Sequence, residues 1–532
     1  MQLSTSSKTR SSSRNAVLIG SGILLSRLIG LLRERIFAYY FGNSAAADAF
    51  KAALKIPNLL QNLFGEGALS SSFIPVYASL LASGNEAEAR RVARVIGSIL
   101  AVAMSVLVLV GVLATPFLID LIAPGFEGTK REFTIKMVRI IFPGMGILVL
   151  SAWCLGILNS HRRFFLPYAA PVLWNLAMIG ALAGFGGRTQ SYSLAEIVAW
   201  GAVVGSVLQF GVQLPAVLRL AGRFRFQFET TSSNIRTVVR NFIPGVGSRG
   251  VNQLSSYIDS ILASFLPTGA VAALAYAQTV YLLPVSLFSM SISNAELPEM
   301  SSQTGPDDAV ANALCRRLNE AMQRVAFFIA PSAVAFLVFG DSIVALLYQT
   351  GKFTRGDVEY VWYVLAGSTV GLFAATLGRL YTSAFWALKD TRTPLRFASV
   401  RVALNAALGW LFAFPVPAWL GIPSRLGLVG LTISSGLAAW IEFTLLRRAM
   451  NRRIGRTGLQ RPYLAKLWGA TIVAAAPAFA LKSWAEGLSP LISGVLVLFC
   501  YGMIYWGSAI KLGMPDALKI MRAIIKRSHE RR

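Results

Sequence analysis

The chain has 532 residues, of which 55% are hydrophobic and only 14% are charged, and its mean hydropathy is +0.58. This composition excludes a soluble globular domain and indicates a polytopic membrane protein. Three widely spaced cysteines and two histidines offer no disulfide framework or metal site, and no GxxxxGK[ST] phosphate loop occurs, so we expect no enzyme.

Residues 1–14 are rich in serine and basic residues and predict a short cytoplasmic tail. Apolar segments long enough to span a membrane follow along the rest of the chain. They predict an all-α fold of about fourteen transmembrane helices, at 15–41, 46–82, 92–123, 133–158, 165–186, 194–218, 238–266, 269–297, 322–348, 358–388, 395–415, 426–446, 464–481 and 488–510.

The basic residues test this segmentation. Alternate flanks are numbered from inside, and basic residues at the inner ends of spans are counted with the flanks: Arg94, Arg240, Arg324, Arg396 and Lys466. The inside flanks then hold 33 of the 50 Lys and Arg residues, the outside flanks hold 7, and the spans hold the remaining 10. This asymmetry predicts that both termini are cytoplasmic. The net charge of +26 therefore orients the protein and meets anionic membrane lipid, and we do not expect nucleic acid as a partner.

An internal repeat with an offset of 227 residues divides the chain. It relates Pro57 to Pro284, Phe126 to Phe353, and Pro167 to Pro394, at matching points of two six-helix units. The repeat predicts an N-terminal lobe at 15–218 (helices 1–6) and a C-terminal lobe at 236–449 (helices 7–12), followed by helices 13 and 14 at 463–511 and a basic tail at 512–532. Two parallel lobes are the plan of an alternating-access transporter.

Charged residues are concentrated in the first two predicted helices. A charge in hydrocarbon costs roughly 3 kcal/mol on insertion scales, so a dense set of charges must face a water-filled cavity or each other. The second helix carries a polar stripe at spacings of 3, 4, 3 and 4 residues: Asp48, Lys51, Lys55, Asn58 and Asn62. Arg27 and Arg33 lie on adjacent stripes of the first helix. Intrahelical pairing and snorkelling near the helix ends account for one or two of these charges.

The second lobe carries fewer ionisable residues. Its Ser, Thr, Asn and Gln side chains are explained mostly by hydrogen bonds between helices, whereas Arg249 and Asp259 lie in the middle of a predicted span and favour a function. The excess of positive charge predicts an anionic, phosphorylated cargo, because arginine binds phosphate through a bidentate fork. The long apolar helices suggest that this cargo also carries a lipid tail.

Several stretches resemble one known family. The run SRLIGLLRE…FG…ADAFKAALKIPNLLQNLFGEGALSSSFIPV, which begins at Ser26, closely resembles the start of the MurJ-type (MviN) lipid II flippases of the multidrug/oligosaccharidyl-lipid/polysaccharide exporter superfamily. The stretches APGF at 123–126, ILNSHRRFFLPYAAPVLWN at 157–175, YQTGKFT at 348–354 and KDTRTPL at 389–395 are also similar to this family. The resemblance covers helices 1 to 14.

The resemblance implies a function and a site. Members of the family move the undecaprenyl-pyrophosphate-linked precursor of peptidoglycan from the inner to the outer leaflet of the bacterial cytoplasmic membrane. It implies a multi-pass protein that acts as a monomer, in contact with membrane lipids and with cell-wall synthesis enzymes. Taken together with the polar stripes, it gives a substrate-binding set of Arg27, Arg33, Asp48, Lys51, Lys55, Asn58, Gln61, Glu66 and Arg249.

This sequence departs from the family at two positions whose arginines usually bind the anionic head group. Gln61 and Thr279 stand where the family usually has arginine, and Arg249 is our candidate for the missing cation of the second lobe. We expect no cofactor. A sodium ion or the membrane potential is the expected driving force, with Asp259 and Asn405 as the candidate cation ligands.

Two alternative functions stay open at the sequence level. One is a flippase for another polyprenyl-pyrophosphate-linked saccharide, and the other is a membrane scaffold that transports nothing. The polar stripe argues against the scaffold, because a scaffold has no need for Lys51 and Lys55 within the membrane.

Overall fold

The computed structural model of the protein describes residues 3–222, 226–228, 232–302 and 307–529. Within these ranges it leaves undescribed the side chains of residues 3–19, 66–67, 70–71, 243–256, 307, 486 and 523–529. The described residues form helices and no strand, which confirms the predicted all-α class. The chain divides into two compact units, Met1–Ala272 with Thr350–Lys352, and Ala273–Gln349 with Phe353–Arg532.

The first unit contains ten helices. They are α1 (Leu3–Phe41), α2 (Ala45–Phe64), α3 (Glu66–Ala82), α4 (Glu86–Leu113), α5 (Thr115–Ile122), α6 (Gly128–Ser160), α7 (Phe165–Ala169), α8 (Pro171–Phe185), α9 (Ser191–Ala221) and α10 (Ser233–Ser264). The second unit contains most of α11 (Ala270–Pro284), in which the chain passes between the units, and eleven further α-helices.

The further helices of the second unit begin after a π-helical segment, Val285–Met290. They are α12 (Ser291–Ser301), α13 (Asp307–Val338), α14 (Gly340–Tyr348), α15 (Arg355–Thr369), α16 (Leu372–Ala387), α17 (Arg392–Ala413), α18 (Pro415–Leu420), α19 (Gly427–Ile454), α20 (Arg461–Trp484), α21 (Pro490–Lys511) and α22 (Pro515–His529). Short 3-10 turns occupy Ser424–Leu426 and Ala485–Gly487.

The ends of α2 are defined by local chemistry. The Ser44 hydroxyl accepts a hydrogen bond of 3.3 Å from the Ala47 amide and so caps the helix, satisfying one of the amides that lack a partner within the helix. At the other end Gly65 has ψ −129, which interrupts the helix before α3 begins at Glu66. Gly65 therefore separates α2 from α3, whereas Pro57 stays inside α2.

Each unit has an apolar core. In the first unit α3, α4 and α6 pack together, with Phe73 stacked on Tyr77 at 5.2 Å and the Trp153 indole donating to the Ala93 carbonyl at 3.2 Å. In the second unit α20 and α21, the last two predicted spans, pack against α13. The Tyr505 hydroxyl donates to a carbonyl of α13 at 2.6 Å, which satisfies a buried donor in that core.

Within the described residues, ten helices are long and apolar enough to cross a membrane, or eleven if the bent pair α15–α16 forms one span. The predicted number of fourteen is therefore not confirmed. The three predicted spans outside this set are α1, α2 with α3, and α10. Helices α1 and α2 carry several charged residues each, and α10 includes residues 243–256, whose side chains lie outside the described residues.

The division into compact units differs from the predicted lobes at one helix. Helix α10, predicted as the first helix of the C-terminal lobe, belongs to the first unit together with the start of α11. Compactness does not test a sequence repeat, so the lobe boundaries stay a prediction.

Candidate functional site

The charged residues of α1 and α2 meet at a buried carboxylate. Glu34 is only 6% exposed, and it accepts a hydrogen bond of 2.6 Å from the Arg33 guanidinium and another from the Lys51 ammonium. Arg33 and Glu34 are neighbours on α1, whereas Lys51 lies on α2, so the carboxylate joins the two helices. One anion thus serves two cations, and this charge cluster (Arg33, Glu34 and Lys51) has a net positive charge.

Aromatic rings face both cations of the charge cluster. The Arg33 guanidinium carbon lies 4.9 Å from the centre of the Trp174 ring, and the Lys51 ammonium lies 4.5 Å from that of Phe37. A ring face attracts a cation through its quadrupole and does so without neutralising its charge. The rings therefore hold the two cations in place and leave their positive charge available to an anionic ligand.

A third cation of α2 lies against α10. The Lys55 ammonium donates a hydrogen bond to the Ser260 hydroxyl, and the Tyr257 hydroxyl donates to the Lys55 carbonyl at 2.8 Å. The carboxylate of Asp259 interacts electrostatically with Lys55. The polar stripe of α2 thus continues from the charge cluster onto α10, all within the first unit.

Asp48, the first member of the predicted stripe, has a different environment. Its carboxylate is 1% exposed and accepts three hydrogen bonds, from the Lys130 ammonium at 2.6 Å and from the backbone amides of Gly269 and Ala272 at 2.7 Å each. The two amides lie at the start of α11, where helical amides lack partners within the helix and favour a negative charge. Asp48 therefore joins α2 to that helix start, and its predicted contact with cargo stays a prediction.

The remaining predicted site residues lie at other positions or outside the described side chains. Arg27 is exposed, and Asn58 and Gln61 are half-buried on α2. The side chains of Glu66 and Arg249 lie outside the described residues. Asp259 is half-buried in the first unit and Asn405 is buried in the second, so their pairing as cation ligands stays a prediction.

The predicted site omits several residues that contact its cations in the structure. Glu34 was open to detection, because an acid between two arginines at membrane depth needs a reason to stay ionised. Trp174, Tyr257 and Ser260 carry no comparable signal, since the residue type alone does not reveal which ring or hydroxyl packs against a cation on another helix.

The arrangement can bind an anion at membrane depth. Its cations are held by one shared carboxylate, by aromatic faces and by a hydroxyl, and the carboxylates of Glu34 and Asp259 offset part of the charge of Arg33, Lys51 and Lys55. No group of three or more His, Cys, Asp or Glu that could hold a metal ion occurs in the part of the chain that the structure describes. An excess of cations over carboxylates favours an anionic ligand.

Comparison with known proteins places this chain in a family. The family model described as "Lipid II flippase MurJ" matches residues 37–499. A "Probable lipid II flippase MurJ" of Rhizobium meliloti (strain 1021) is 30% identical over 525 residues, which is 96% of this chain and 95% of the relative. The "Lipid II flippase MurJ" of Burkholderia cenocepacia is 31% identical over 476 residues, 86% of this chain and 88% of the relative.

Solved structures have the same fold. A lipid II flippase MurJ in an inward closed conformation gives a TM-score of 0.76 at 22% identity and covers 93% of this chain and 98% of its own. An inward-facing multidrug transporter of the MATE family, in the MOP superfamily, gives 0.63 at 17% identity and covers 82% and 98%. At these identities the likeness concerns the fold alone.

Proposed function

Since the chain belongs to the lipid II flippase MurJ family and flips lipid II across the bacterial inner membrane, we propose that it does so by alternating access, with the cations of α1, α2 and α10 binding the anionic head group. The charge cluster carries this proposal. The cations of Arg33 and Lys51 share one carboxylate, so the cluster retains a positive charge within a helix pair at membrane depth. A pyrophosphate supplies the negative charge that such a cluster lacks.

Each cation has a different part in this proposal. The planar guanidinium of Arg33 stacks on Trp174 and offers parallel donors to two phosphate oxygens. Lys51 and Lys55 act as point charges along the stripe of α2, and Asn58 and Gln61 add neutral donors toward the sugar. Arg27, exposed on α1, attracts the head group before it reaches the charge cluster.

The lipid part of the substrate needs no closed pocket. Large apolar side chains such as Leu113 and Phe117 are about 70% exposed on the first unit and contact lipid when the protein is in a membrane. We therefore propose that the polyprenyl chain stays in the bilayer while the head group crosses along the polar stripe. The interruption of α2 at Gly65 gives this helix pair a point at which to bend during the alternation.

The orientation follows from the basic flanks. With 33 basic residues on one side and 7 on the other, we propose that both termini are cytoplasmic. We also propose that the protein acts as a monomer and contacts cell-wall synthesis enzymes.

The choice of cargo is tested in vesicles that contain the purified full chain. We expect transfer of fluorescent lipid II between the leaflets to accelerate, and transfer of a neutral analogue, with the same polyprenyl chain and sugars but no phosphate, to stay at the protein-free rate. The reason is that only the pyrophosphate compensates the charge cluster. Equal transfer of both lipids would contradict a cationic site, and preferential transfer of another polyprenyl-pyrophosphate saccharide would change the assigned cargo.

We further propose that Asp259 couples transport to a sodium ion or to the membrane potential. Asn405, in the second unit, stays a separate candidate cation ligand. Moving one charge through the field is worth about 2.3 kcal/mol per 100 mV, which is enough to bias a two-state transporter. The measurement is the transport rate of Asp259→Asn with and without sodium and with an imposed potential. We expect a slower rate that responds to neither; a wild-type rate with wild-type responses would leave Asp259 a structural role, such as its interaction with Lys55.

A further inference from the structure

A groove of about 550 Å³ lies between α6 and α9 in the first unit, on residues that the charge cluster does not use. Its lining combines charges with apolar surface, and includes Glu132, Lys136, Arg139, Pro143, Glu196 and Trp200. The α6 members recur at intervals of three or four residues, so they form one stripe along that helix. Charged side chains beside apolar ones suit a ligand that is itself amphipathic.

Contacts between the two helices bound the groove along its length. At one end Lys136 and Glu196 form an ion pair of 2.7 Å, and the rings of Phe133 and Tyr192 stack at 4.4 Å. Further along, α6 approaches α9 so closely that a Cβ on Gly144 would lie 3.2 Å from the α-carbon of Val203. The groove is therefore a defined depression with fixed walls.

With the hydrocarbon centred on α6, we place the groove across the boundary between hydrocarbon and lipid head groups. Helix α6 has 33 residues and is about 50 Å long, which exceeds the roughly 30 Å of hydrocarbon in a bilayer. Arg139 is about 16 Å from the start of this helix, and the α9 residue beside it is Trp200, whose ring is 55% exposed. Tryptophan is enriched at the boundary between hydrocarbon and head groups.

Arg139 brings both a donor and an acceptor to this groove. Its side chain is exposed and makes no hydrogen bond or ion pair with any residue that the structure describes. Pro143 lies four residues further along α6 and has no amide hydrogen, so it cannot donate the helical hydrogen bond to the Arg139 carbonyl. Arg139 thus has a guanidinium without a described partner and a carbonyl that lacks its helical donor.

We propose that this groove binds the head group of a phospholipid that carries both a phosphate and an ammonium group, that is, phosphatidylethanolamine. The guanidinium of Arg139 binds the phosphate, and the ammonium donates to the Glu132 carboxylate. One acyl chain lies along Trp200 and Val203. The groove shares no lining residue with the charge cluster, and the proposal does not depend on the proposed cargo.

The charge balance of the groove favours this lipid over an anionic one. Lys136 and Arg139 supply two positive charges, and Glu132 and Glu196 supply two negative charges, so the groove has no net charge. A zwitterionic head group matches both signs, whereas the head group of phosphatidylglycerol brings a negative charge and no cation to pair with the Glu132 carboxylate.

Native mass spectrometry of the delipidated full chain tests the proposal, with dioleoyl phosphatidylethanolamine and dioleoyl phosphatidylglycerol added separately. We expect one ethanolamine lipid to be retained in preference to the glycerol lipid. Arg139→Gln should weaken ethanolamine-lipid binding by about tenfold, because a charge-assisted hydrogen bond is lost. Glu132→Gln should reduce the preference between the two lipids.

The matched control is Arg131→Gln, which removes a cation from the same turns of α6 outside the groove, where Arg131 pairs with Asp120 at 2.7 Å. Binding that falls equally in both arginine variants, or that is as strong for the glycerol lipid, would overturn the proposal. A photoreactive ethanolamine lipid adds a measurement on the unmodified protein: adducts are expected on residues 132–143 or 196–203, and adducts confined to other segments would also overturn it.

Discussion

At the scale of single residues, Glu34 decides whether the cations of α1 and α2 can coexist. A buried carboxylate with two cationic donors stays ionised, and its charge offsets the repulsion between Arg33 and Lys51. The predicted polar stripe places Lys51 and Lys55 on one face with Asp48, whereas the structure gives Asp48 different partners from theirs. The spacing of residues along the sequence determines which face of a helix they share. The residue that each of them contacts belongs to another helix and is not given by that spacing.

Neutralising Glu34 should destabilise the protein. Removing one partner from a buried ion pair costs about 3–5 kcal/mol, because the remaining charges are left uncompensated. We therefore expect Glu34→Gln to lower the midpoint of thermal unfolding in detergent, and Glu34→Gln with Lys51→Met to restore part of it. The control is Asp120→Asn, which breaks an exposed pair and should leave the midpoint unchanged. A midpoint for Glu34→Gln equal to that of the control would argue against the charge cluster.

At the scale of elements, the stretch that resembles the family around residue 351 has a packing role in the first unit. The Lys352 amide donates to the Tyr39 carbonyl at 2.9 Å, so this short segment fastens the end of α1. Gly351 has φ +55, and a Cβ there would lie 2.4 Å from the same carbonyl. The resemblance to the family singled out this stretch. Its packing role depends on a backbone contact between residues more than 300 positions apart, and no local sequence pattern reveals such a contact.

Adding a side chain at Gly351 should loosen this attachment. In Gly351→Ala the left-handed backbone is strained and the Cβ clashes with the Tyr39 carbonyl, which together should cost about 1–3 kcal/mol. Hydrogen exchange of the last turns of α1 measures the effect, and faster exchange is expected. Gly356→Ala, where the nearest atom is 3.8 Å away, is the control and should exchange as the wild type does. Identical exchange in both variants would show that the segment does not hold α1.

At the scale of the whole molecule, composition and apolar length were sufficient to predict an all-α membrane protein. The described residues do not confirm three of the predicted spans: α1 and α2 carry several charges each, and residues 243–256 of α10 have side chains outside the described set. The charges of α1 and α2 form most of the candidate site. Long-range contacts such as those of Asp48 with the start of α11 depend on tertiary structure and were not predictable.

The central claim is that the cations of the first unit carry the head group of lipid II. The most direct measurement is the rate of fluorescent lipid II transfer in vesicles that contain equal amounts of wild type, Arg33→Gln, Lys51→Gln or the control Arg131→Gln. Each cluster variant should be slower than wild type by about tenfold or more, because a charge-assisted contact with the pyrophosphate is lost, and the control should match wild type. Wild-type rates in both cluster variants, with the protein folded and inserted, would contradict the account.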